Sequence, residues 1–266
     1  MGIVATVVAA LLGLVLGSFA NVPIQRWPAG GTVTEPRQSV CPSCGTPVRP
    51  LDNLPVVSWV LLRGQCRSCG APISPRYLVV EVATGALFAG TVVVWGLDPL
   101  VPALLVFVWA LVVATAIDLE HRIIPNRLTL RLPLVLVPLL VLPAAIDGGW
   151  TDLVRALITG VALPGIMFAL SETFRLVRGK QGIGMGDVKF AISIGLVVGY
   201  LGGWHVVVFA YATIISAMLI VVGLLLARRA SLATRIPFGP YLAIGALIAL
   251  LLGDPAVALV QRVLGF

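Results

Sequence analysis

The stretch Gly182-Ile183-Gly184-Met185-Gly186-Asp187-Val188-Lys189, which runs directly into Phe190-Ala191-Ile192-Ser193-Ile194-Gly195-Leu196-Val197-Val198-Gly199, sets a carboxylate and a lysine at the mouth of an apolar run. Such a run reads as membrane-spanning, and an ionisable side chain beside hydrocarbon points to a functional site. Gly182, Gly184 and Gly186 open strained or left-handed backbone conformations and let a second chain approach closely. A second acidic cluster, Asp118-Leu119-Glu120, stands at the same kind of boundary.

The rest of the chain has the same character. Over 266 residues it is 59% hydrophobic and 11% charged, with a mean hydropathy of +1.06. Soluble domains hold roughly 45–50% apolar and about 25% charged residues. The expected fold is therefore an all-α polytopic membrane protein. Apolar runs near the ~20 residues that cross a bilayer core give about eight transmembrane helices, at 3–22, 78–95, 100–117, 128–146, 153–174, 188–201, 205–227 and 238–253. The sixth is short. Pro23 ends the first span a residue or two early, while Pro133, Pro138 and Pro143 kink the fourth and Pro164-Gly165 the fifth. The N-terminal run Ile3 to Ala20 has no basic start and no small-residue cleavage site, so it reads as a retained span rather than a signal peptide. The division expected is a first transmembrane helix over 1–22, a small cysteine-bearing domain over 23–77 and a seven-helix portion over 78–266.

Charge sets the orientation. All of the 18 basic side chains except Arg155 and Arg262 fall on the side of the cysteine-bearing segment. The excess of Lys and Arg marks that side as cytoplasmic and leaves both termini outside. The formal charge of +7 lies in short clusters between apolar runs and forms no stripe, so nucleic acid is not an expected partner. Asp118, at the end of span three, and Asp187, at the start of span six, then face the same compartment. His121 and His205 fall on opposite sides and cannot share a metal.

Two carboxylates at one membrane depth suit aspartyl protease chemistry. Like charges a few ångströms apart do not both ionise cheaply, so one carboxyl keeps a proton while the other acts as base on water. Glu120 rivals Asp118, but two residues along a helix its side chain faces away, which leaves it a role in the loop or against substrate.

Cys41-Pro42-Ser43-Cys44-Gly45 and Cys66-Arg67-Ser68-Cys69-Gly70 are the only cysteine-bearing stretches. Two C-x-x-C-G units point to one closed four-thiolate zinc site that staples a domain too small to fold on its own core. A thiol-disulfide role is the alternative reading of the same residues.

Taken in order, several stretches resemble the bacterial prepilin peptidases, the type IV prepilin leader peptidase and N-methyltransferase family. They are Gly17 to Pro28, the two cysteine units, Ile73-Ser74-Pro75-Arg76-Tyr77 with Glu81 and Thr84, Asp118 to Asn126, Gly184 to Lys189, and Pro237-Phe238-Gly239-Pro240-Tyr241. The resemblance implies that Asp118 and Asp187 are catalytic, the second in a Gly-x-Gly-Asp motif, with Gly184, Gly186, Lys189 and Glu120 around them in an active-site loop. It implies a multi-pass protein of the bacterial inner membrane. It also implies prepilin or pseudopilin substrates, cut at the cytoplasmic face after a glycine that ends a short basic leader. In members with the cysteine domain, the new N-terminal residue is then N-methylated with S-adenosylmethionine. Asn21, Arg26 and Gly64 are the candidate contacts for that cofactor. The competing readings are a peptidase without methyltransferase activity, a transporter using the carboxylate pair, and a metal-stapled scaffold.

Overall fold

A computed structural model of the chain describes residues 2–36, 38–179, 182–227 and 237–264. Lys180 and Gln181, within the glycine-rich link before Asp187, lie outside the described residues, as do Arg37, Arg228, Arg229 and Arg235 of the cytoplasmic charge count. Among the described residues the regular elements are helical, and strand pairing is limited to two isolated bridges, Val40 with Pro47 and Gln65 with Pro72. The chain divides into two compact units, Met1–Leu97 with Val108–Ala116, and Asp98–Phe107 with Ile117–Phe266.

The first unit is built on α1 (Gly2–Arg26) and α3 (Pro75–Trp95), with a 3-10 turn at Pro50–Asn53 and the short α2 (Val57–Leu61) between them. Small residues let α1 and α3 touch backbone to backbone. A Cβ on Gly13 would stand 2.7 Å from the Thr84 carbonyl oxygen, and one on Gly17 would stand 2.8 Å from the Glu81 Cα. This is the way helices associate where no hydrophobic drive separates lipid from side chain. The unit also takes in Trp109, from the middle of α4 (Val101–His121). Its Nε1 donates to the Leu16 carbonyl at 2.9 Å and its ring stacks on Phe19 with centroids 6.1 Å apart. The first helix outruns the expected end and carries through Pro23 to Arg26. The Pro23 ring leaves only the Phe19 carbonyl without a donor, and the ladder resumes with Trp27 N–H donating to the Pro23 carbonyl at 3.0 Å.

The second unit holds α5 (Asn126–Asp147), α6 (Trp150–Arg178), α7 (Met185–Leu201), α8 (Gly203–Leu226), α9 (Gly239–Leu251) and α10 (Gly253–Leu264). Helix α7 has 17 residues and packs against α5, α6, α8 and α9. From Asp187 to Tyr200 only Lys189 and Ile192 escape burial. Glycine explains the closest contact: Cβ atoms on Gly195 and Gly199 would overlap the Thr159 carbonyl and hydroxyl of α6. Arg155 of α6 donates to the Gly199 and Tyr200 carbonyls at 2.7 and 3.1 Å. That satisfies acceptors that the end of a helix otherwise leaves bare.

Helices α1, α3, α4, α5, α6 and α8 are each long and apolar enough to cross a membrane, and α9 with α10 makes a seventh if the bent pair is one span. Eight is thus an approximate count. The sixth expected span is α7, at 17 residues. The eighth differs most from expectation: α9 has 13 residues and the chain then bends by 100° into α10. Gly253-Asp254-Pro255 makes that break, with Pro255 in the first turn of the new helix, where its missing N–H leaves no acceptor unserved.

Candidate active site

Asp118 lies in the last turn of α4 and Asp187 in the first turn of α7. Both are buried, with 4% and 8% of their surface exposed, and the Asp118 charge is felt at Asp187. Helix α4 stops here because Arg122 takes a left-handed conformation (φ 56°), its N–H closing on the Asp118 carbonyl at 2.9 Å. Ile123-Ile124-Pro125 then leads into α5. On the other side Gly184 caps α7 in an extended conformation, and Asp187 reaches back to accept its N–H. That is the acidic half of a capping box. One oxygen of Asp187, Oδ1, is buried and has no hydrogen-bond partner among the described residues.

Close approach, rather than backbone freedom, accounts for the two glycines nearest the carboxylate. Neither Gly184 (φ −66°) nor the helical Gly186 is left-handed. A Cβ on Gly184 would sit 2.8 Å from Asp187 Oδ2, and one on Gly186 would sit 3.2 Å from the Ile124 carbonyl oxygen. Gly186 is therefore where the loop after α4 lies on α7. The left-handed glycine is Gly179 (φ 67°), which ends α6. Two further groups hold the site, and the sequence reading does not single them out. The Gly239 N–H, at the start of α9, donates to Asp118 Oδ2 at 2.9 Å. Ser171 Oγ of α6 donates to the Ile183 carbonyl at 3.1 Å and accepts the Ile183 N–H at 3.3 Å, which ties down the segment leading to Asp187. A lone serine in the apolar run of span five was the available signal for Ser171. For Gly239 it was the Phe238-Gly239-Pro240 helix start. Glu120 is exposed beside His121, 3.8 Å away, and Lys189 donates to Asn126 Oδ1 at 2.9 Å, so neither is part of the carboxylate pair.

The four cysteines converge. Their sulfur atoms all lie within 4.8 Å of one another, and Cys41 Sγ and Cys69 Sγ are 3.9 Å apart. Four thiolates at about 2.3 Å from one tetrahedral ion stand about 3.8 Å from each other, so the cluster fits a metal. Each half is built alike. Gly45 N–H returns to the Cys41 carbonyl and Gly70 N–H to the Cys66 carbonyl, both at 2.8 Å, through glycines with φ of 70° and 72°. The Thr46 hydroxyl and then its N–H hold the Cys44 thiol down to about 6. The Ala71 N–H lowers Cys69, but the Cys44 sulfur, burial and the other two sulfurs together push it up to about 12. Arg67 links the second half to the 3-10 turn, with Nη2 and Nε at 2.6 and 2.9 Å from the Asp52 carboxylate.

Two family models match most of this chain: a bacterial peptidase A24 N-terminal domain over residues 11–95 and the type IV leader peptidase family over residues 105–226. A protein of Aeromonas hydrophila named prepilin leader peptidase/N-methyltransferase is 36% identical over 92% of this chain and 89% of its own length. The chain belongs to this leader peptidase family. Relatives of the same name from Pseudomonas aeruginosa (35% identical, 96% of this chain and 93% of the relative) and Burkholderia pseudomallei (34%, 93% and 85%) extend the match. No solved structure matches the chain.

In this leader peptidase family member, the three residues considered for the methyl donor separate. Asn21 is buried, its Nδ2 donating to the Gly17 and Tyr77 carbonyls at 3.3 and 3.5 Å. Gly64 is left-handed (φ 66°), and a Cβ there would stand 2.9 Å from the Trp59 ring. Arg26 alone lines a cavity of about 310 Å³, together with Ser18, Phe19, Val33, Ser39 and Asn53. Beside it Glu81, buried in α3, accepts the Val56 N–H at 2.7 Å and is hydrogen-bonded by Ser18. Val56 itself has φ 62°, a costly conformation for a β-branched residue.

Proposed function

We propose that this chain is an aspartyl endopeptidase of the bacterial inner membrane that removes the leader of prepilins or pseudopilins, and that it then N-methylates the exposed residue. The observation that carries the peptidase reading is the pair Asp118 and Asp187, buried together where one helix ends and another begins, with a third helix start donating to Asp118. The names of the curated relatives support both activities.

One proton resides on the pair. The ionised carboxylate takes a proton from water as the water oxygen bonds to the scissile carbonyl carbon, while the protonated carboxyl donates to the carbonyl oxygen. Collapse of the tetrahedral intermediate breaks the C–N bond, and the amine leaves with a proton from the pair. The roles of the neighbours follow from their contacts. Gly239 N–H fixes Asp118 Oδ2, the Gly184 cap fixes one side of Asp187, and Oδ1, buried and without a partner among the described residues, is the oxygen left to bond the reacting water or substrate.

Both aspartates act at the cytoplasmic face, where the basic residues concentrate and where a basic leader would lie. Zinc on Cys41, Cys44, Cys66 and Cys69 would leave no open coordination position, so its role is to hold the segment together. S-adenosylmethionine, when bound, supplies a methyl group on a sulfonium sulfur to the new N-terminal amine. Because the cleaved chain stays in the bilayer, its amine meets the same protein at high effective concentration.

The test is to incubate the purified protein with a prepilin and methyl-labelled S-adenosylmethionine and to sequence the product. A mature chain starting just after the leader glycine and carrying one labelled methyl is expected. An intact prepilin would reject the peptidase reading, and an unlabelled mature chain would reject the methyltransferase.

A further inference from the structure

Helices α9 and α10 meet at a bend of 100°. Helix α9 runs beside α7 in the same direction: it starts at Gly239, against Asp118, and ends against the start of α8, the helix that follows α7. The His205 imidazole makes that junction, because a Cβ on Gly202 would stand 3.0 Å from its Nδ1 and one on Gly253 would stand 2.5 Å from its Nε2. The break at Gly253 is therefore level with the turn between α7 and α8, at the membrane face opposite the aspartate pair. That level carries the marks of a water interface. Arg155 pairs with Asp152 at 2.6 Å while it donates to the Gly199 and Tyr200 carbonyls. Trp150 and Trp204 stand in the first turns of α6 and α8, the placement of indole rings at a bilayer boundary. A helix that turns by 100° at such a level lies along the membrane rather than through it.

The sides of α10 divide three ways. At about 100° per residue, Gly253, Ala256, Val257, Val260 and Gln261 share one side, and they are buried or half-buried where α10 packs on α8 and α9. The exposed remainder splits into two flanks. Pro255, Leu259 and Val263 form one, with Leu259 64% and Val263 76% exposed, and Asp254, Ala258 and Arg262 form the other. A span would turn apolar side chains to hydrocarbon on every side that the protein leaves open. Here one open flank carries both charges of the helix and the other is apolar, which is the pattern of a helix lying in an interface.

We propose that α10 lies in the phospholipid headgroup layer of the membrane face opposite the aspartates, with Leu259 and Val263 sunk into the acyl boundary and Arg262 beside the headgroup phosphates. The stem of an arginine can follow apolar neighbours while its guanidinium stays in water and pairs with phosphate. Anchored there, α10 fixes the height of α9, the helix whose first N–H holds Asp118. A second copy of the chain is the competing occupant of the apolar flank. Three side chains make a strip far smaller than the roughly 800 Å² per partner of a stable interface, whereas a lipid surface needs no such area.

The experiment measures depth. Full-length protein is reconstituted in nanodiscs of phosphatidylethanolamine and phosphatidylglycerol, carrying one nitroxide in place of Asp254, Ala258, Leu259, Arg262 or Val263. The labels are attached through p-acetylphenylalanine, which spares the four cysteines, and all five positions are exposed, so the fold tolerates them. Collision with oxygen, which concentrates in hydrocarbon, is compared with collision with a nickel chelate, which stays in water. Oxygen-to-nickel ratios alike at 259 and 263, and several-fold above those at 254, 258 and 262, are expected. A ratio that changes steadily along the helix whatever the flank, over the roughly 13 Å rise from 254 to 263, would show a span and overturn the proposal. High nickel access at all five positions would hold α10 off the membrane and overturn it equally. Low collision with both reagents at 259 and 263, with dipolar broadening between singly labelled copies, would assign the flank to a second copy and overturn it as well.

Discussion

Replacing Gly239 with alanine tests whether the start of α9 belongs to the active site. The added Cβ would lie 2.7 Å from Asp118 Oδ2, 3.2 Å from its Cγ and 3.3 Å from its Cβ. Non-bonded carbon and oxygen do not approach that closely, so the carboxylate must withdraw by a few tenths of an ångström and the 2.9 Å bond from the Gly239 N–H is lost or bent. A hydrogen bond to a charged group is worth about 1.5–3 kcal/mol net. At 1.36 kcal/mol per tenfold in rate, losing it costs roughly 10- to 160-fold in kcat if the bond is needed in the transition state. Folding should not suffer, because alanine is the better helix former. Gly165→Ala in α6, where nothing lies within 4 Å of the added carbon, is the control and should cleave like wild type. The assay is the rate of leader removal from a prepilin in detergent, with KM and kcat separated. Wild-type kcat in a folded Gly239→Ala protein would refute the role given to α9.

Ser171→Ala removes both hydrogen bonds to Ile183. It should lower kcat by about tenfold, since each neutral bond is worth roughly 0.5–1.5 kcal/mol, and should raise hydrogen exchange at Ile183 with α6 itself unchanged. In metal-free protein Cys44, held to about 6, is a thiolate at pH 7, whereas Cys69, pushed up to about 12, stays protonated. Alkylation followed by peptide mass spectrometry should therefore modify Cys44 ahead of Cys69, with a rate at Cys44 that falls as the pH drops through 6. Val56→Gly relieves a left-handed β-branched residue worth about 1–3 kcal/mol of strain. It should make the cysteine segment more resistant to proteolysis, while Glu81→Ala, which removes the acceptor of the Val56 N–H, should make it less so.

Much of this arrangement is legible in the chain because single residues are irreplaceable where they stand. Gly45 and Gly70 follow the second cysteine of each pair because the turn there needs φ near 70°, and that requirement makes C-x-x-C-G readable. The apolar runs mark the helices, and the shortness of α7 is visible as a short run. Pro23 misleads, because a proline reads as an end although it interrupts a single bond in a helix that continues to Arg26. The bend at Gly253 is hidden because the apolar run carries on to Leu252 and a turn looks like a terminus. Gly239 and Ser171 show in the sequence only as part of a helix start and as a lone serine in an apolar run, which does not tell what they bind. Their value comes from partners 121 and 12 residues away, and a contact at that separation leaves no local pattern.

The central claim is that Asp118 and Asp187 act together on the scissile peptide. Its most direct test is the intact mass of a prepilin co-expressed with wild type, Asp118→Asn or Asp187→Asn, with membrane insertion of each variant verified. Wild type should yield the mature chain, shorter by its leader and heavier by one methyl group, and both variants should leave the leader in place. Full cleavage by either inserted variant would contradict the account, because one carboxyl would then suffice for the chemistry assigned to two.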